Sequence, residues 1–218
     1  MKILKPSETA DGELVQIPIT KENCESVGGF KRFPFPTEIK MSRRSPMHME
    51  LCWLHNELVQ LDAQSKIDRV LEYSGGITTW ITYDALKPSK YVCVEDKRFV
   101  GIFKPVTDIY PGIDVVHNWL DVPEDTYNLV FVDGSSCMPA ELKERYKVKS
   151  NVHRKEALLY AEQFMRVGSL VVFHDWGHPA RNGGWRAVRN YLTNSEDYEF
   201  VKAFQNSKKG FGIFRKIK

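Results

Sequence analysis

The chain has 218 residues, 42% of them hydrophobic, and a formal net charge of +3, which supports one domain with a large core and crowds two full ones. No apolar run approaches the roughly 18 residues that a membrane span needs, and the opening MKILKPSETADGEL meets charge and proline too early for a signal peptide. A charge this small does not by itself imply nucleic acid, so a soluble, cytoplasmic protein is expected.

Residues 1–45 read as an irregular extension, marked by Gly28-Gly29, Pro34, Pro36 and the basic residues Lys31, Arg32, Arg43 and Arg44, that wraps the core or covers its ligand. Residues 46–218 are expected to form the main domain. Ser45-Pro46 supplies a cap and a first-turn proline for a helix through MHMELCWLHNELVQL. Its apolar residues Met47, Leu51, Leu54, Leu58 and Leu61 recur every three or four positions, and this stripe is expected to pack on the sheet edge.

Val70-Leu71 ends at Glu72 as a buried strand and a helix opens at Ile77, so Ser74-Gly75-Gly76 is a strand-to-helix turn. Glycine there serves a positive φ or the close approach of a ligand, and the helix start behind it offers free N–H groups; an ordinary tight turn would use glycine too. KYVCVED is a second apolar strand ending at Glu95-Asp96, IDVVH a third ending at His117, and YNLVFVDGSS a fourth ending at Asp133. A helix from Val152 to Met165 follows, and GSLVVFHDW forms a fifth strand ending at His174-Asp175. YEFVKAF and FGIFRKI, joined by QNSKKG, predict an antiparallel hairpin at the sheet edge. Continuous apolar strands alternating with helices predict an α/β fold, a doubly wound, mostly parallel seven-stranded sheet covered on both faces. The cysteines Cys24, Cys52, Cys93 and Cys137 form no CxxC pair, which argues against a zinc site and a disulfide framework. Cys93 is expected to be plain core.

Ligands of open α/β sheets bind at the carboxyl ends of the strands, and those ends carry Glu72, Glu95, His117, Asp133, His174 and Asp175. A buried carboxylate costs several kcal/mol unless it is paired or solvated in a cleft, so polar residues on successive strand ends point to a site. Glu95 lies about 20 residues after Glu72, where a carboxylate can accept both hydroxyls of an adenosine ribose. The choice is then between a dinucleotide and S-adenosylmethionine. A dinucleotide cradle wants G-x-G-x-x-G, and Ser74-Gly75-Gly76-Ile77-Thr78-Thr79 lacks the third glycine.

VLEYSGGITT resembles the first motif of the class I S-adenosylmethionine-dependent methyltransferases, E-x-G-x-G-x-[ST], through Glu72, Ser74, Gly76 and Thr78. VCVED is similar to their ribose-binding second strand and NLVFVDGSS to their fourth. VGSLVVFHDW with GGWRAVRNYL resembles the fifth strand and helix of the branch that includes many small-molecule O-methyltransferases, and GFGIFRKI resembles the final antiparallel strand. The order and spacing of these motifs over residues 45–218 carry the resemblance. It implies methyl transfer with S-adenosyl-L-methionine as cofactor, held by Glu72, Ser74, Gly75, Gly76, Thr78, Glu95 and Asp133. Two positions depart from the pattern: Ser74 replaces the first glycine, and Ser135-Ser136 follow Asp133-Gly134 where this branch often has a histidine. A degenerate member that binds the cofactor without catalysis therefore stays open.

The proline-aromatic and Pro-Cys signatures of DNA-methylating enzymes are missing after Asp133, and the lysine-rich tetrad of the ribose-methylating capping enzymes is not recoverable. A hydroxyl of a small molecule is the favoured acceptor; its chemistry needs in-line placement and a base or metal to take its proton. Asp133, His174 and Asp175 are the expected catalytic residues, with His178 a further candidate base and Trp176 and Trp185 packing as walls. The insert from Cys137 to Glu156 carries Lys143, Arg145, Lys147, Lys149, Arg154 and Lys155 against Glu141, Glu144 and Glu156. It is either a solvated surface helix or a lid favouring an acidic, phosphorylated or sugar-like acceptor, and the second reading keeps a nucleic-acid substrate as the alternative.

In the strand order that the resemblance implies, Asp133 and Asp175 close neighbouring strands about 5 Å apart. Carboxylates that close repel, so a proton or a cation sits between them. Mg2+ held by Asp133 and Asp175 is one form of that expectation. The other has Asp133 accepting N–H groups of its own Gly134-Ser135 turn while Asp175 orients a histidine.

Overall fold

The computed structural model describes residues 13–16, 48–134, 137–148, 153–177, 184–206 and 209–218. Its strands are β1 (Glu13–Gln16), β2 (Arg69–Tyr73), β3 (Lys90–Val94), β4 (Ile113–Val116), β5 (Tyr127–Val132), β6 (Met165–His174), β7 (Tyr198–Asn206) and β8 (Lys209–Lys216). Its α-helices are α1 (His48–Gln64), α2 (Ile77–Leu86), α3 (Val100–Ile109), α4 (Ala140–Arg145), α5 (Arg154–Ala161) and α6 (Gly184–Asn194). The strands form one sheet in the order β1-β7-β8-β6-β5-β2-β3-β4. All pairings are parallel except those of β8 with β6 and β7. The seven strands read from the sequence all form, and β1 is an eighth, drawn from the extension.

Successive residues of each strand serve opposite faces, as the pleat requires. Val70, Tyr91, Cys93, Leu129, Phe131 and Val172 join the core beneath α1 and α2. Leu71, Tyr73, Val92, Val130, Val132 and Phe173 join a second core, with Ala157, Leu158 and Ala161 of α5 and Val188 and Leu192 of α6. The doubly wound expectation holds, and Cys93 is plain core.

Three expectations are corrected. The α1 stripe of Leu51, Leu54, Leu58 and Leu61 packs with Phe204, Phe211 and Ile213 of the hairpin strands, so α1 lies on a sheet face and not on its edge. The hairpin is not the outermost element, because β1 pairs with β7 on its outer side. The helix expected to reach Met165 ends at Ala161 and tightens into a 3-10 turn, Glu162–Phe164. Glu162 accepts hydrogen bonds from the Tyr191 and Tyr198 hydroxyls at 2.6 and 2.9 Å, which pins that turn and lets the chain swing into β6.

Candidate active site

The loop after β2 is built around Glu72. This side chain is fully buried on the α2 face, and its carboxylate accepts hydrogen bonds from Thr78 Oγ1 at 2.8 Å, Tyr91 Oη at 2.8 Å and the Thr79 hydroxyl. Burial pushes its pKa up to about 8 against the pull of the three hydroxyls. The family-like Glu72 and Thr78 thus bind each other and tie the end of β2 to the first turn of α2. Ser74 adopts φ 76°, a left-handed conformation in which glycine is at ease, and its N–H donates to the Val94 carbonyl at 2.9 Å. Gly76 caps α2, its N–H donates to Thr79 Oγ1 at 3.0 Å, and a Cβ built on it would meet no atom within 4 Å. The turn therefore leaves open space beside its backbone.

Glu95 follows β3 at the adjoining strand end. Its Oε1 accepts the Asp96 N–H at 2.7 Å. Burial pushes its carboxyl up to about 7, opposed by the backbone N–H groups of Asp96 and Gly75, so Glu95 touches the glycine turn. His117, at the end of β4, donates its Nδ1–H to the Glu95 carbonyl at 2.7 Å and braces the same corner.

The third cluster joins the ends of β5 and β6, which are parallel neighbours with Val132 opposite Phe173. His174 is 2% exposed. Its Nδ1–H donates to Asp133 Oδ1 at 3.0 Å, while Nε2 lies 3.9 Å from Glu50 Oε2 and 3.8 Å from Asp175 Oδ1. Burial disfavours the imidazolium, yet the carboxylates of Asp133, Glu50 and Asp175 outweigh it and raise the pKa to about 10. Arg154, the first residue of α5, reaches over the end of the sheet: Nη1 donates to Asp175 Oδ2 at 2.9 Å and Nη2 to Asp133 Oδ1 at 3.3 Å. Asp175 itself sits at φ 65°.

Of the two expectations for Asp133 and Asp175, a shared proton or a cation between them, the structure shows a cation, and it is the Arg154 guanidinium. Ligand atoms of Asp133, His174 and Asp175 lie within 4.8 Å of one another, so the donor set could ligate a divalent ion, but Arg154 and His174 already occupy those carboxylates. In the sequence Arg154 stands out only as one of the basic residues of the insert. The signal for Glu50 in the sequence is an acid four residues before Leu54, on the same apolar stripe. Both are as intimate with the cluster as the acids read from the strand ends.

Other expected residues fall elsewhere. Trp176 is buried core, stacked on Phe200 at 5.5 Å, with Arg189 against its ring. In the basic insert, Arg145 lies over Tyr146 and Lys155 over Tyr191, and Met138 and Leu142 anchor the segment in the core. The expectations for Lys31, Arg32, Arg43, Arg44, Ser45-Pro46, Ser135-Ser136, Lys149 and His178, and for the side chain of Trp185, lie outside the described residues.

No protein-family model matches the chain, and no curated protein matches it. Solved structures do. One is a Staphylococcus aureus protein provisionally described as a caffeoyl-CoA O-methyltransferase, at TM-score 0.54 and 14% identity over 82% of this chain and 86% of that one. A second is the N-methyltransferase NodS from Bradyrhizobium japonicum WM9 in complex with S-adenosyl-L-homocysteine, at TM-score 0.53 and 15% identity over 90% of this chain and 99% of that one. A third, from Pyrococcus horikoshii and provisionally described as an RNA methyltransferase, reaches TM-score 0.50 and 15% identity over 90% of this chain and 96% of that one. The chain has the fold of the class I S-adenosylmethionine-dependent methyltransferases, and the descriptions of these neighbours span O-, N- and RNA methylation.

Proposed function

We propose, from the methyltransferase fold that the chain shares with these proteins, that it is an S-adenosylmethionine-dependent methyltransferase acting on a hydroxyl of a small molecule. The observation that carries the reading is Glu95, held at the β3 end against the N–H of Gly75, beside the open space at Gly76. Its carboxylate would accept the two ribose hydroxyls, and Ser74, Gly75 and Gly76 would line the remainder of the cofactor. S-adenosylmethionine would supply a methyl group on a sulfonium, from which the acceptor oxygen displaces the thioether while losing its proton.

Glu72 and Thr78 would act from beneath, fixing the loop through each other. Asp133, whose side chain is 24% exposed against 13% for Asp175, would face the acceptor and take or orient its proton, with Asp175 beside it. His174 is a positioning residue in this reading, because both ring nitrogens face carboxylates of the protein itself. Arg154 fills the role that a magnesium ion would have had. Asp133 and Asp175 take up Arg154, which withdraws one cation of the insert from any nucleic-acid backbone.

Calorimetric titration with S-adenosylhomocysteine tests the cofactor. Saturable binding is expected, weakened about tenfold or more by Glu95→Ala, since a charge-assisted hydrogen bond contributes roughly 1.5–3 kcal/mol. Binding should tighten from pH 6 to pH 8 as the Glu95 carboxyl ionises through about 7. Equal affinity of the variant, or tighter binding of NADH, refutes the assignment. Metabolite extracts incubated with methyl-labelled cofactor then identify the acceptor by mass spectrometry; cofactor binding without labelling in any extract would mark a non-catalytic binding module.

A further inference from the structure

The amino ends of the strands, opposite the candidate active site, carry a second feature. Tyr127 pairs with Met165 and Leu129 with Leu170, so a single residue of β5, Asn128, faces the whole stretch from Arg166 to Ser169 on β6. The surplus residues leave the sheet: Val167 is 63% exposed, and Gly168 has φ 90°. The Arg166 N–H donates to Ser169 Oγ at 3.1 Å and that hydroxyl donates to the Tyr127 carbonyl at 2.9 Å, which holds the protrusion in shape. A bulge interrupts the ladder and re-aims side chains, and it lies here between two central strands.

The bulge walls a cavity of about 330 Å³, within the size range of small-molecule sites, whose lining includes Lys66, Arg166, Arg215, Asn128, Val167 and Leu170. Lys66 is paired with Asp62 at 3.0 Å and Arg215 with Glu199 at 2.8 Å, whereas Arg166 has no ion pair among the described residues. Asn128 Oδ1 accepts the N–H groups of Asp68 and Arg69 at 3.2 and 3.1 Å, which leaves its amide nitrogen as the group to donate. An unpaired guanidinium and an amide donor thus stand beside exposed valine and a leucine floor.

We infer that this cavity binds a small organic anion, with a phosphate or carboxylate head on Arg166 and Asn128 and an apolar body on Val167 and Leu170. The inference is independent of the methyl-transfer reading. Calorimetry of the full chain at constant ionic strength, with phenyl phosphate, benzoate and inorganic phosphate as probes, tests it. Phenyl phosphate or benzoate should bind saturably, and the tighter of the two identifies the head group. Arg166→Ala should weaken that binding about tenfold or more, and Val167→Ser by a few fold. Inorganic phosphate, lacking the body, should bind more weakly than phenyl phosphate. Arg166 is exposed and has no ion pair among the described residues, so its variant should keep the wild-type thermal midpoint, which separates lost binding from lost fold. No saturation by either aryl anion up to about 10 mM, an unchanged affinity in Arg166→Ala, or displacement of the probe by S-adenosylhomocysteine would overturn it.

Discussion

Glu72 and Glu95, at the ends of β2 and β3, are held by neutral donors: three hydroxyls for the first and two backbone N–H groups for the second. Asp133 and Asp175, at the ends of β5 and β6, are held by Arg154, and Asp133 also by His174. With neutral donors, burial dominates and the carboxyls are pushed up to about 8 and 7. With the aspartates and Glu50 around it, the partner is shifted instead, and His174 rises to about 10. An acid at a strand end is therefore not one kind of object: its partner decides whether it is a near-neutral hydrogen-bonding hub or half of a charged network.

The largest effect is expected at the acids held by neutral donors. Glu72→Ala should cost about 4 kcal/mol in urea unfolding, because three buried hydroxyls lose their acceptor and a cavity opens. Glu72→Gln, which keeps volume and one acceptor, should cost less than half of that; equal costs would mean that the retained volume counts for little and that the loop needs both carboxyl oxygens as acceptors.

At the charged pole, Arg154→Met should cost about 3 kcal/mol by leaving two carboxylates without their shared cation. The same variant should acquire affinity for Mn2+ in calorimetry, since the ligand atoms of Asp133, His174 and Asp175 lie within 4.8 Å of one another. Wild-type protein binding Mn2+ as tightly as the variant would show that the arginine does not stand in for a metal.

The dependence on pH sharpens the contrast. Glu72, with a folded pKa of about 8 against 4.5 in a free chain, binds more protons folded than unfolded, so its share of stability is full below 4.5 and falls as pH rises toward 8. The His174 share is full below 6.5 and is lost as pH rises through 10. The free energy of unfolding in urea should thus decline steadily from pH 5 to pH 9. Glu72→Gln should flatten the lower part of that decline and spare the upper; a curve that rises with pH would refute both assignments.

The smallest effect is expected at Ser74. Ser74→Gly relieves the φ of 76° and should raise stability by about 0.5 kcal/mol while leaving S-adenosylhomocysteine affinity equal or better. A large loss of affinity would mean that the hydroxyl itself meets the cofactor.

Strand ends, glycine turn and hairpin were legible in the sequence because each is a local pattern: an apolar run, a Ser-Gly-Gly break, two short runs around a polar turn. The electrostatic problem at Asp133 and Asp175 was legible only through the methyltransferase resemblance, which implies that the two strands they close are neighbours. Its solution was not legible, since Arg154, which meets the two aspartates, comes from the start of α5 and Glu50, which meets His174, comes from α1, and nothing in their own neighbourhoods along the chain points to those partners.

By itself the sequence determined the doubly wound sheet and which residues crown it, because the alternation of apolar runs and helical stripes fixes which side of each element is buried. Only the tertiary structure decided which partner each crowning acid meets, that α1 lies on a face with β1 along the rim, and that Arg166 to Ser169 bulge out of the sheet. The reason is distance along the chain: protonation, ion pairing and strand register depend on which segments the crossovers bring within a few ångströms, and local periodicity carries no record of that.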